Sequence, residues 1–236
     1  MAIAKYKKDG LWKMKRRNRK RFYIGIGLLA AFVIFTVSVR LVDVEAIGPN
    51  RSAVGFSTLN GFVHNLTGVH LSVYTLTDWL GLVPIAFAFG FAVFGLLQWL
   101  KRKSLMRVDF SILQLGAFYA AVVAVYIFFE FFAVNYRPVL INGHLEASYP
   151  SSTTVLVMCV MPTARMQFNM RIKSKALRCA TTLAIVAFVA FMVSARLFSG
   201  VHWFTDIVGG ALLSGGLVNM YAAVVGRELQ TVNSVV

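Results

Sequence analysis

Apolar runs separated by short polar loops make up most of the chain. Phe22 to about Val39, Trp79 to Leu100, Phe110 to Val134, Ser151 or Ser152 to about Ala164, Cys179 to Phe198 and Phe204 to Val225 each read as one membrane-crossing helix. The fourth run is the shortest, and Pro162 interrupts it, which neighbouring helices can accommodate. Between the first two runs the chain is mixed. Arg40, Asp43 and Glu45 mark the exit from the first run, and Gly48-Pro49-Asn50 is a turn signal. Phe56, Leu59, Phe62, Val63 and Leu66 then recur at helical spacing and predict an amphipathic helix lying at the interface. The predicted fold class is all-α: a polytopic integral membrane protein built as a six-transmembrane-helix bundle. Its predicted divisions are a basic cytoplasmic tail over 1–21, one membrane domain over 22–225 and a short C-terminal tail over 226–236. Composition agrees, because 58% hydrophobic and 14% charged residues is more apolar than a soluble domain of this size requires.

Charge then orients the bundle. Residues 1–21 carry ten Lys and Arg against the single acid Asp9. A net charge of +15 would also suit nucleic acid. The basic tail abuts an apolar run directly, however, so it reads as a topogenic segment that meets anionic lipid head groups, and no nucleic-acid partner is expected. The long basic region and the lack of a nearby Ala-x-Ala site favour an uncleaved anchor over a signal peptide. Six spans put both termini on one side. Twenty of the 24 Lys and Arg then fall on that side, which the positive-inside rule assigns to the cytoplasm of a plasma membrane. The loops that hold Arg137, Ser151, Ser152, Thr153, Arg196, His202 and Asp206 fall on the outer side.

Those outer loops carry the candidate chemistry. The stretch Ser194 to Asp206 packs Arg196, His202 and Asp206 into a region with almost no other charge. His202 and Asp206 are four apart, so on a helix they share one face. An Asp behind a His fixes its tautomer and stabilises the imidazolium, which leaves the other ring nitrogen free to act. Arg196 and Arg137 each offer parallel donors shaped for a phosphoryl group. Ser151, Ser152 and Thr153 open the fourth run, where free backbone N–H groups favour an anion, and Pro150 suits the residue just before it. Ordinary helix capping accounts for Ser-Ser-Thr equally well, and an interfacial cluster with Trp203 as an aromatic-belt anchor accounts for the rest. Cys159 and Cys179 lie in or beside apolar runs and read as small buried hydrophobes with no disulfide. The four histidines show no paired ligand spacing, so neither a metal nor another cofactor is expected.

The order Arg137-Pro138, then Pro150-Ser151-Ser152, then Arg196-x5-His202-x3-Asp206 resembles the type 2 phosphatidic acid phosphatase (lipid phosphate phosphatase) superfamily. That family carries Lys-x6-Arg-Pro, Pro-Ser-Gly/Ser-His and Ser-Arg-x5-His-x3-Asp. The third motif is present except that Ala195 separates Ser194 from Arg196. Glu130 stands at the position of the first-motif Lys, and Thr153 at the position of the second-motif His.

The resemblance implies a metal-independent hydrolase of lipid or isoprenoid phosphates and diphosphates. His202 would be the nucleophile that forms a phosphohistidine, Asp206 its partner, and Arg137, Arg196 and the Ser151–Thr153 backbone the phosphate cradle. The replacements remove the usual proton donor for the leaving group, since a threonine hydroxyl is a poor general acid. Glu130, His144 and Ser194 are possible accessory residues, with His144 the nearest alternative acid in the sequence. Three readings follow: a phosphatase or phosphotransferase that uses a better leaving group or another acid, a protein that binds or transports lipid phosphates without turnover, and a structural subunit with a relic site.

Overall fold

The computed structural model describes residues 2–235, with side chains for residue 12 and residues 15–226. Among the described residues the chain is helical, with no strand beyond isolated bridges. Helix α1 is Ala2–Leu41, α2 Ser57–Thr67, α3 Leu71–Leu80, α4 Leu82–Arg102, α5 Phe110–Phe131, α6 Ser152–Arg171, α7 Lys175–Phe198 and α8 Phe204–Val235. Among the described residues five stretches are long and apolar enough to cross a membrane: Lys15–Leu41, Leu71–Arg102, Phe110–Phe131, Lys175–Phe198 and Phe204–Gly226. Large apolar side chains such as Ile34, Phe89, Leu97 and Leu183 point outward from them, as lipid-facing helices require.

Helix α6 is built differently. It packs against α4, α5, α7 and α8. Thr154, Thr163 and Gln167 are buried on it beside Val155, Cys159 and Met161. A helix enclosed by other helices meets protein rather than lipid, so it tolerates polar side chains that find partners. Thr163 bonds back to the Cys159 carbonyl at 2.8 Å, and Gln167 donates to the Ser111 carbonyl at 3.0 Å. The core lies around this helix, where Leu115, Phe118, Tyr149, Val155, Cys159, Leu213 and Tyr221 form one apolar cluster.

Loops gather at the two ends of the bundle. At one end Arg40 donates to the Ala133 carbonyl, Asn60 bonds Thr205 at 3.0 Å, and the His70 N–H bonds the Ser199 carbonyl at 2.9 Å. These contacts join the loops after α1, α2, α5 and α7. At the other end Arg102 and Arg171 reach Asp109 at 3.0 and 3.6 Å.

Several sequence expectations change. The second apolar run begins earlier than Trp79, because α3 and α4 form one stretch that turns at Gly81. The fourth helix continues through Pro162 to Arg171, since its neighbours supply the surroundings that the apolar count alone lacks. The expected C-terminal tail continues α8 to Val235, and the side chains of residues 227–236 lie outside the described set, as do those of Lys5, Lys7, Lys8 and Lys13 in the basic tail. Cys159 is buried as expected, but Cys179 is exposed on α7; both are free thiols. Trp203 is no belt anchor: it is 3% exposed, and its indole N–H donates to the Tyr136 carbonyl at 2.7 Å.

Candidate active site

The site forms where α7 ends and α8 begins. Arg196 lies in the last turn of α7, and the chain then turns through Gly200, whose φ of +68° suits glycine. A Cβ there would stand 1.9 Å from the Gly68 carbonyl oxygen, so this position also needs a bare backbone. His202 follows in the loop and Phe204 opens α8. His202 and Asp206 therefore do not share a helix face. They meet because Asp206, in the first turn of α8, folds back and accepts the Trp203 N–H at 2.9 Å. Asn60 secures the same helix end by accepting the Thr205 N–H at 3.1 Å.

Helix α6 starts beside α8. The Ser151 N–H donates to the Asp206 main-chain carbonyl at 3.1 Å. The Ser151 hydroxyl caps α6, accepting from the Thr154 hydroxyl at 3.0 Å and from its N–H at 3.5 Å. Gly209 and Gly210 let α8 approach this segment, since a Cβ at Gly209 would meet the Tyr149 ring at 2.5 Å and one at Gly210 the Thr154 side chain at 3.1 Å. Two helix N-termini, with their partial positive charge, so converge on one place.

Arg137 arrives from the loop after α5. Its backbone N–H bonds the Glu146 carbonyl at 3.0 Å, and its Nε pairs with the Glu146 carboxylate at 3.0 Å. Its Nη1 lies 3.4 Å from His202 Nε2, and Arg196 Nη2 lies 3.3 Å from the same atom. Two guanidinium donors facing one ring nitrogen require that nitrogen to be unprotonated. The ring proton of a neutral His202 then sits on Nδ1, which faces the Ser148 backbone and lies 3.5 Å from Asp206 Oδ2. Burial holds the His202 pKa well below the ordinary 6.5, and the Arg137 and Arg196 charges lower it further. The Asp206 carboxylate is fully buried, with the Ser148 and Asn135 side chains facing it.

A cavity of about 600 Å³ opens onto His202 and Arg137. Glu130, Glu146, Ser152 and Thr153 line its polar part, while Val122, Val125, Phe129, Leu156 and Leu213 line an apolar part. Among the residues that line it, His202 is the only histidine. Arg137, Arg196, His202 and Asp206 are thus brought together. Ser152, Thr153 and Glu130 reach the cavity wall, and Ser151 stays behind it as a buried cap. His144 is exposed at the base of a tight turn, where it pairs with Ile141, and Ser194 is exposed on α7; neither lines the cavity. Among the described residues no group of His, Cys, Asp and Glu could hold a metal ion.

Sequence reasoning missed the residues that hold the arginines from behind. On α3, Thr77 accepts from Arg196 Nη1 at 3.1 Å, Asp78 lies 3.9 Å from the same atom, and the Tyr74 ring lies under Arg196 at 4.8 Å and Arg137 at 5.8 Å. The signal was present, because Tyr74, Thr77 and Asp78 share one helix face in an otherwise apolar stretch. Asn60, Asn135 and Ser148 left no pattern in the sequence.

The model of the PAP2 superfamily matches residues 115–229. The crystal structure of the first transmembrane PAP2 type phosphatidylglycerolphosphate phosphatase from Bacillus subtilis superposes with a TM-score of 0.55 at 16% identity. The match covers 88% of this chain and 97% of that one. No curated protein matches the sequence.

Proposed function

We propose that this multi-pass membrane protein, whose residues 115–229 match the model of the PAP2 superfamily, is a metal-independent hydrolase of lipid or isoprenoid phosphates and diphosphates. The observation that carries this reading is the convergence of Arg137 and Arg196 on His202 Nε2, at 3.4 and 3.3 Å, with Asp206 on the far side of the ring. When a phosphoryl group enters, the guanidinium donors transfer from Nε2 to its oxygens, and the lone pair they covered is freed. Nε2 attacks phosphorus, the bond to the leaving oxygen breaks, and a phosphohistidine forms. Asp206 offsets the charge that develops on the ring, as the acid of a catalytic triad does. The arginines and the N–H groups at the start of α6 take up charge on the equatorial oxygens. Water then attacks phosphorus and returns the imidazole.

The apolar part of the cavity, from Val122 to Leu213, fits a substrate with a hydrocarbon chain, and the polar part fits its phosphate. The test is phosphate release from a panel of lipid phosphates and isoprenoid diphosphates by the purified protein in detergent. Release that disappears in His202→Ala supports the reading. Equal release by the variant would place the chemistry elsewhere.

A second reading rests on Glu130 and Thr153, which line the cavity and which the motif resemblance sets at the positions of the family's Lys and His. In that reading the protein binds or transports lipid phosphates without turnover. Binding that depends on Arg137 and Arg196, with no release from any substrate class, would select it.

The same proposal fixes the frame of the molecule. Helix α6, at 20 residues, spans about 30 Å and crosses as a sixth span inside the other helices. Residues 22–225 form the membrane domain. Both termini face the cytoplasm of the plasma membrane, the site opens on the opposite face, and the tail over 1–21 meets anionic lipid head groups.

A further inference from the structure

Two guanidiniums that point at one nitrogen repel each other, so something must hold them there. Arg196 is 1% exposed and Arg137 8%, which leaves little water to screen the repulsion. Asp78 and Glu146 each sit against one arginine, Asp78 at 3.9 Å from Arg196 and Glu146 at 3.0 Å from Arg137. Tyr74 alone on α3 touches both, with its ring centroid 4.8 Å from the Arg196 guanidinium carbon and 5.8 Å from that of Arg137. An aromatic face carries negative charge density and attracts cations at these distances. One ring facing two cations brings them to a common side without neutralising either, as a carboxylate would.

We infer that Tyr74 is a positioning residue whose ring face holds Arg137 and Arg196 together, so that both address His202 Nε2. Helix α3 lies outside residues 115–229, so this brings an earlier segment of the chain into the site. The inference rests on the phosphate-site reading only in taking the two arginines as an anion cradle. Tyr74 itself is not on the cavity wall, and it acts through the guanidiniums. Thr77, three residues on, fixes Arg196 from the same face by accepting its Nη1 hydrogen bond.

The test uses orthovanadate as the probe, bound to the whole protein in detergent. Tyr74→Phe keeps the ring face and binds vanadate as wild type does. Tyr74→Leu fills similar space without that face and binds on the order of 10-fold more weakly. Phenylalanines of increasing fluorination placed at position 74 keep the shape and drain the face, so affinity falls stepwise along the series. This series decides the matter if Tyr74→Leu does not fold. A second readout is the His202 ring titration by NMR. The ring meets Arg137 from the loop, Arg196 from α7 and Asp206 from α8, and loosened guanidiniums let it protonate at higher pH. Equal vanadate affinity and equal His202 titration across the series would overturn the inference. Wild type that binds vanadate yet releases no phosphate removes the phosphatase reading and leaves the role of Tyr74 standing. If wild type binds no vanadate, the cradle reading falls, and the His202 titration decides the role of Tyr74.

Discussion

His202 stays neutral near pH 7 because charging it would place a third cation beside Arg137 and Arg196 in a buried loop. The rate should therefore hold through pH 6.5, where an ordinary histidine nucleophile would already be failing. Stability behaves in the opposite sense. The unfolded chain takes up a proton near the ordinary 6.5 and the folded chain does not, so stability is lost as pH falls below 6.5. A kcat/KM profile together with chemical denaturation at pH 5 and 7 checks both statements. An acid limb at the ordinary histidine value would show that the arginines do not act on the ring.

Thr153 sets the other expectation at this scale. General acid catalysis contributes about 10²–10⁴-fold, and a leaving phosphate needs it far less than a leaving alkoxide. Wild type should thus prefer diphosphates to alkyl monoesters by a wide margin, and Thr153→His should raise the monoester rate more than the diphosphate rate. His144→Ala should change neither, since His144 is exposed and off the cavity. A monoester rate that collapses in His144→Ala would make it the proton donor after all. Arg137, Arg196, His202 and Asp206 were legible as a group because they are rare polar residues in an apolar chain. Tyr74 left only the shared helix face with Thr77 and Asp78, and Glu146 left nothing, because the sequence carries no sign of which neighbour a guanidinium will choose.

Between elements, the weak point is the contact of the α6 and α8 N-termini. Gly209 faces the Tyr149 ring so closely that an added methyl must displace it. Gly209→Ala should cost about 1–3 kcal/mol, as overpacking of a closed core does, and should lower activity by moving Ser151 away from the Asp206 carbonyl. Gly90→Ala on α4, where nothing lies within 4 Å, is the matched control and should carry no such cost, since alanine favours a helix interior over glycine. Thermal melting of the two variants separates them, and equal melting would mean that α6 and α8 can part without loss. Periodicity and apolar runs revealed the helices themselves. They did not reveal α3, because Ser72, Thr75, Thr77 and Asp78 interrupt its apolar residues and hid it in the mixed stretch before Trp79. They also cut α6 short, because an enclosed helix need not look like a lipid-facing one.

At the scale of the whole molecule, the grouping of loops at two ends makes the orientation testable. In a Cys179→Ser background, which removes the exposed native thiol, His144→Cys should react with a membrane-impermeant reagent in intact cells. Lys173→Cys, at the end that holds Arg102 and Arg171, should react only after permeabilisation. The reverse pattern would put the site in the cytoplasm. Gly200 is a poor place for such a probe, since a side chain there strikes the Gly68 carbonyl. Charge counting alone assigned each loop a side. It could not tell which loops touch one another, because the bonds that join them end on main-chain carbonyls or neutral side chains, as from Arg40 to Ala133 and Asn60 to Thr205.

The burial of Trp203 gives the molecule its own optical signal. Trp12, Trp79 and Trp99 are 61%, 69% and 47% exposed, whereas Trp203 is 3% exposed beside His202. Its emission should be blue-shifted and, unlike that of Trp79 and Trp99 on the membrane-crossing stretch Leu71–Arg102, should change when an anion draws the Arg137 guanidinium away from His202. The His64 ring lies 5.4 Å from the indole, and burial lowers its pKa below 6.5. Protonated imidazole quenches indole light, so this emission should dim at pH values below those that charge an ordinary histidine. Trp203→Phe identifies the component, and occupancy of the site can then be followed by fluorescence without a labelled substrate.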